Sequence, residues 1–130
     1  MRFGFHLFMV DPAEHQDIAR TADACGWDSI QVADAPFFPE TVSVPYPYTP
    51  DGSRFWPLDT PVLDPWVAIT AMAVVTTRIR FLPSVLRLAI RQPAAVPGRQ
   101  AQIRQVHRRA AAEHALHYPA AEGLVEPLVE

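Results

Sequence analysis

Three short stretches place polar or backbone-rich groups where apolar runs of the sequence stop. His6, Leu7 and Phe8 lie near the end of the first run, Asp34 ends the second and is followed by Ala35, and Ser84, Val85, Leu86 and Arg87 end the third. The carboxylate of Asp34 can accept a hydrogen bond from a ligand, or it can cap its own turn. "PSVLR" supplies one hydroxyl and a run of backbone amides, and His6 a ring able to donate or accept. These groups suit binding and positioning. They do not by themselves form a catalytic set, and no residue is assigned as catalytic.

Composition limits the chemistry further. The sequence contains no Lys, so no Schiff base can form on a lysine, and any phosphate held by a side-chain cation must be held by Arg. The single cysteine, Cys25, excludes an intrachain disulfide and suits a reducing compartment. Its place on the apolar face of an expected helix predicts a buried structural thiol rather than a nucleophile.

The elements that must position these groups follow from the hydrophobic pattern. Residues 2–10 form a nearly continuous apolar run, as in a parallel strand covered on both faces. Asp11–Pro12 then opens a helix with Asp11 as N-cap and Glu14 at its third position. Ile18, Ala22 and Cys25 share a face of that helix, and Gly26 ends it. A second strand is expected over 27–34. Asp64–Pro65 repeats the capping signal and starts a helix to about Thr77, with Trp66, Ile69, Met72 and Ala73 inward. A third strand is expected over 79–86, and Gln92–Pro93 begins a third helix. Pro97–Gly98 would fall in that helix's second turn, where proline costs about 3 kcal/mol. The order β-α-β-α-β-α implies right-handed crossovers and a parallel sheet, with function at the C-terminal strand ends.

Between the second strand and second helix runs a long proline-rich segment, 35–63, with Phe37, Phe38, Tyr46, Tyr48, Phe55 and Trp56. A loop this long is either a lid or binding loop, or a surface excursion whose aromatics pack on the domain end. The net charge of −3 gives no reason to expect nucleic acid or an anionic membrane as partner. No stretch approaches the roughly 20 apolar residues of a membrane span, and the apolar start lacks the features of a signal peptide, so a cytoplasmic protein is expected. The charge is uneven: residues 1–65 carry ten acids and three Arg, and residues 66–130 carry eight Arg and four acids.

The stretches "MRFGFHLF", "IARTADACGWDSIQVADAPFF", "YPYTPDG", "DTPVLDPWVAITAMAVVTTRIRF" and "SVLRLAIRQP" together resemble the N-terminal part of luciferase-like flavin- or F420-dependent oxidoreductases. The resemblance runs from Met1 to about Pro93. It implies the first three β-α units of a (β/α)8 TIM barrel that binds coenzyme F420, preferred on the "YPYTPDG" loop, or FMN. The implied chemistry is hydride transfer or flavin-dependent oxygenation of a small organic substrate. Asp34, Ser84, Val85, Leu86 and Arg87 match positions near the cofactor ring, with a non-prolyl cis peptide at Ser84–Val85. His6, Phe8, Phe37, Tyr46, Tyr48 and Trp56 fall on the substrate side. Where several F420 enzymes carry a catalytic histidine after the strand-two aspartate, this chain has Ala35, so a general acid is missing there.

Residues 94–106 are read as a degraded third helix and 107–130 as a foreign or disordered tail. His107, His114 and His117, with Glu113 nearby, would share a helical face, yet no metal site is assigned; Arg99, Arg104, Arg108 and Arg109 lack the aromatics of a nucleic-acid platform. A divergent C-terminus that seals a half-barrel, by homodimer formation for example, is a further reading. So is a shifted reading frame: "HRRA" can conceal Thr-Gly-Gly-Arg. On the tail reading, the chain is a truncated and poorly active enzyme. The alternative is a non-enzymatic half-barrel that self-associates without cofactor.

Overall fold

The computed structural model describes residues 1–35 and 37–117, with Pro93 and residues 113–117 described by backbone alone. The readings of Glu113, His114, His117 and residues 118–130 therefore fall outside the described side chains. Three short strands, β1 (Gly4–Leu7), β2 (Ser29–Val32) and β3 (Arg80–Pro83), form a parallel sheet in the order β1-β2-β3. Helices α1 (His15–Ala24), α2 (Pro65–Ala73) and α3 (Val96–His117) alternate with them. The result is a mixed α/β structure with a small parallel sheet. Each strand is shorter than its apolar run, because pairing ends where the chain turns towards the loops.

Register sorts the sheet into two faces. Phe5, Ile30 and Phe81 lie side by side, as do Leu7, Val32 and Pro83. Leu7, Ile30 and Val32 pack with Ala19 and Ala22 of α1 and Ala68, Ile69 and Met72 of α2. Small residues on the helices let them approach the sheet closely, and each large aliphatic or Met side chain so buried contributes about 1.5–3 kcal/mol. The alternate rows, Gly4–Ser29–Arg80 and His6–Gln31–Leu82, lie on the opposite face and are half-buried or exposed. The continuous apolar run of β1 is thus covered on one face only by the described residues.

The helix signals act as expected at α1 and α2. Asp11 accepts from the Ala13 amide at 2.9 Å, and a 3-10 turn at Pro12–Glu14 leads into α1. Asp64 accepts from Trp66 N at 2.9 Å at the start of α2. At the end of α1, Gly26 takes φ +80°, and the Gly26 and Trp27 amides bond to the carbonyls of Asp23 and Ala22.

The third helix differs from expectation. A 3-10 turn occupies Pro93–Ala95, and α3 starts only at Val96. Pro97 therefore lies in the first turn, where an amide N–H has no intrahelical partner and proline costs little. The helix continues to His117, across the boundary expected at 106/107, carried by Ala, Arg and Gln, which are good helix formers. Residues 96–106 are thus part of one unbroken α-helix, preceded by the 3-10 turn.

The buried face of α1 also differs. Cys25 is exposed at the helix end, because the side of α1 next to the free edge of β1 is left open. The buried positions include His15, Ala19, Ala22 and, unexpectedly, Asp23. The Asp23 carboxylate accepts from the amides of Thr77 (2.8 Å), Arg78 (3.1 Å) and Ile79 (2.8 Å) and from Thr77 Oγ1 (3.1 Å). It fixes the entry to β3 from the far end of α1. Burial alone would raise its pKa, but these hydrogen bonds outweigh burial and hold it below the usual carboxylate value.

A folded-state pKa below the unfolded one stabilises above the unfolded value, near pH 4, and that stability is lost as pH falls through the folded value. Asp23→Ala should lower stability by roughly 2–4 kcal/mol by leaving several donors unpaired. Its acid-unfolding curve, followed by circular dichroism, should depend less on pH below about 4 than the parent's.

Candidate active site at the strand ends

The C-terminal ends of β2 and β3 are tied together by one buried ion cluster. Asp34, just after β2, is buried, and its Oδ2 accepts from the Arg87 amide at 2.8 Å and from Arg91 Nε at 2.9 Å. Its Oδ1 pairs with Arg91 Nη2, and Arg91 Nη1 reaches Asp64 Oδ2 at 2.8 Å. The side chain of Asp34 is fully covered and that of Arg91 is 9% exposed. One guanidinium thus joins the end of β2, the segment after β3 and the N-cap of α2.

The electrostatics follow from this geometry. Burial pushes the Asp34 pKa up, while hydrogen bonds from Arg91 and the Arg87 amide, with the guanidinium charge, outweigh it and hold the carboxyl below its ordinary value. Arg91 is held more firmly protonated, first by its hydrogen bond to Asp34 and then by Asp64, against the cost of burial. Asp34 therefore presents no free carboxylate to the strand ends. It acts as a capping and pairing residue, one of the two roles open in the sequence.

The segment after β3 is held from a second side. His6 Nε2 donates to the carbonyl oxygen of Ser84 at 3.0 Å; because a carbonyl only accepts, the proton sits on Nε2. Ser84 N bonds back to Val32 O at 2.8 Å, and the Ser84–Val85 peptide is cis. Between these anchors Val85 projects outward, 76% exposed, with Leu86 half-buried and Leu88 exposed beyond it. Of the amides expected to face a ligand, that of Arg87 is already taken by Asp34.

The long loop folds onto the same end. Trp56 is its centre: its ring lies 4.7 Å from Phe55, 5.1 Å from Tyr46, 5.6 Å from Phe38 and 6.3 Å from Phe8. Phe8 lies 5.9 Å from His6, and Tyr46 is 5.4 Å from Tyr48. His6, Phe8, Tyr46, Tyr48 and Trp56 are thus one connected group, while Phe37 stands apart and exposed. The "YPYTPDG" turn closes through Tyr46 N to Gly52 O at 2.8 Å. Gly52 is required there: its φ is +71°, and a Cβ would come 2.6 Å from Pro45 Cβ. Trp56 Nε1 is buried with no hydrogen-bond partner among the described residues.

The pattern of apolar runs misses Arg91 and Asp64 as site-forming groups. Asp64 shows only as a helix cap, and Arg91 is separated from Asp34 by 57 residues. Among the described residues no three His, Cys, Asp or Glu side chains come together as a metal site, and no helix is long and apolar enough to cross a membrane.

Arg91→Leu should destabilise the chain by about 3–5 kcal/mol, because it leaves the Asp34 carboxylate buried without its cation. The double variant Asp34→Leu/Arg91→Leu should recover part of that loss in urea unfolding. A strictly additive double variant would mean that the pair does not act as a unit.

Residues 3–108 match the family model for luciferase-like monooxygenases. The match extends beyond Pro93, where the resemblance in the sequence was read to stop, into α3. Uncharacterized proteins of Mycobacterium bovis and Mycobacterium tuberculosis are 38% identical to the chain over 96 residues, covering 74% of this chain and 33% of theirs. The chain thus spans about a third of the length of the curated relatives it matches. No solved structure matches it.

Proposed function

Because the chain belongs to the luciferase-like monooxygenase family, we propose that it forms the first three β-α units of a (β/α)8 barrel oxidoreductase and binds coenzyme F420, or else FMN, at its C-terminal strand ends. The observation that carries this reading is the doubly clamped segment after β3. His6 holds the Ser84 carbonyl and Asp34 holds the Arg87 amide, so Val85 between them stands out at a fixed place.

The residues fit a flat heteroaromatic ring. Val85 and Leu88 offer exposed apolar surface to a ring face, and the buried Trp56 N–H lacks an acceptor within the described structure. When bound, the cofactor supplies a ring carbon or nitrogen that accepts or gives up hydride. The chain's own residues do the rest. Val85 and Leu86 would bear on the ring, and the clamp holds these two residues in place, as the positioning needed for hydride transfer requires. The group of Phe8, Tyr46, Tyr48 and Trp56 shields the substrate side from water. Ala35 is buried and has no proton to give, so a proton required by the reaction comes from solvent or another group.

The substrate is a small organic molecule. The net charge and the aromatic lining favour an apolar or aromatic compound over a polyanion.

Titration of the purified chain with F420 and with FMN, followed by quenching of cofactor fluorescence, tests the reading. Binding of F420 in the micromolar range, tighter than FMN, is expected. Val85→Glu should weaken it at least about tenfold with an unchanged melting temperature, since Val85 packs against little. No quenching by either cofactor at high micromolar concentration would overturn the proposal in favour of a half-barrel that self-associates without cofactor.

A further inference from the structure

Few of the described groups at the strand ends are free to move a proton. Asp34 and Asp64 are both committed to Arg91, Ala35 has no proton to give, and an arginine such as Arg87 stays charged. His6 is different. It is exposed and lies in the row His6–Gln31–Leu82, on the sheet face away from the helices, where neither strand neighbour brings a charge to it.

The imidazole is held at one nitrogen only. Nε2–H donates to the Ser84 carbonyl at 3.0 Å, while Nδ1 makes no hydrogen bond among the described residues. Holding Ser84 takes a single N–H, which an amide side chain supplies equally well. The second nitrogen is what histidine adds. Imidazole both takes up and gives up a proton near neutral pH. The Ser84 carbonyl only accepts, so it retains the Nε2 proton in either charge state, and the proton that comes and goes is the one on Nδ1. The oxygen that anchors the ring belongs to the Ser84–Val85 peptide itself, so His6 stands one hydrogen bond from the segment that meets the cofactor in the proposed function.

We propose, on the reading of the strand ends as the cofactor site, that His6 is the acid–base residue of that site and that its Nδ1–H supplies the proton in the reduction of a small ketone. The carbonyl carbon of the substrate receives a hydride, with its electron pair, from the reduced deazaflavin or flavin. The C=O π bond opens, and the oxygen takes the proton as the Nδ1–H bond breaks. The alcohol, the oxidised cofactor and neutral His6 result, and solvent returns a proton to Nδ1. Phe8, 5.9 Å from the His6 ring and 6.3 Å from Trp56, makes the surroundings apolar and aromatic, which suits an alkyl or aryl ketone.

Diethyl pyrocarbonate, which acylates an imidazole nitrogen with a free lone pair, gives a readout independent of turnover. Peptide mass spectrometry should find His6 modified, and F420 well above its Kd should slow that modification at least about fivefold. In Val85→Glu the protection should disappear. Unchanged modification of His6 in a chain that quenches F420 fluorescence would overturn this role and leave the cofactor reading standing. No quenching would overturn the cofactor reading and this role with it. His6→Gln keeps an N–H for Ser84 and removes the second nitrogen. The variant should bind F420 within about threefold of the parent. With reduced F420 and acetophenone as probe, its kcat should fall at least about 100-fold. A variant as fast as the parent would overturn the role, as would a parent chain that binds F420 and forms no alcohol from acetophenone.

Discussion

The arrangement of the strand ends depends on one guanidinium. Arg91 lies between Asp34 and Asp64 and pins the segment after β2 to the N-cap of α2, the helix that packs on that strand. Placing the pair inside the protein costs several kcal/mol of desolvation per ion, offset only because each carboxylate also accepts backbone or guanidinium hydrogen bonds. The same carboxylate of Asp34 captures the Arg87 amide, so the ion cluster and the shape of the segment after β3 are not independent. A change that loosens Arg91 loosens Val85 as well. The site is therefore rigid because its charged residues are used for structure.

Asp23 plays the corresponding part at the opposite end of the sheet. It collects three amides and a hydroxyl from the turn that enters β3, while Asp34 fixes the turn that leaves it. A four-residue strand has few ladder bonds of its own, and two buried carboxylates hold its ends in place. The helices cover one face of this short sheet with small side chains, and the other face, with His6, Gln31 and Leu82, is left to whatever completes it. The bare sheet face follows from that one-sided packing, and the free edge of β3 from the strand order of the described residues.

The aromatic loop adds a second kind of order. Its cohesion comes from edge-on ring contacts around Trp56, each worth about 0.5–1.5 kcal/mol beyond buried area, and from a glycine turn that only positive φ allows. It reaches the sheet through Phe8 and so through His6, which also holds Ser84. Loop, first strand and third strand meet at a single imidazole.

Much of this was open to reading in the chain itself. Caps at Asp11 and Asp64, the glycine at 26, the alternation of strands and helices and the positions of the three strand ends all rest on local rules: steric limits on φ, orphan amides in a first helical turn, and apolar runs that must be buried. The family resemblance rested on the same local stretches. Where reading failed, the cause was non-local. Cys25 is exposed and Asp23 buried because the face of α1 is chosen by what packs against it, and only the turn into β3, more than fifty residues on, supplies the donors that pay for a buried carboxylate. Pro97 breaks nothing because the helix start moved, a matter of where the preceding 3-10 turn ends. The sequence by itself determined which segments become strands and helices and which residue types stand at their ends. Tertiary structure alone decided that Asp34 is a clamp and not a free ligand, because the charge that claims it is 57 residues away and only folding brings the two together.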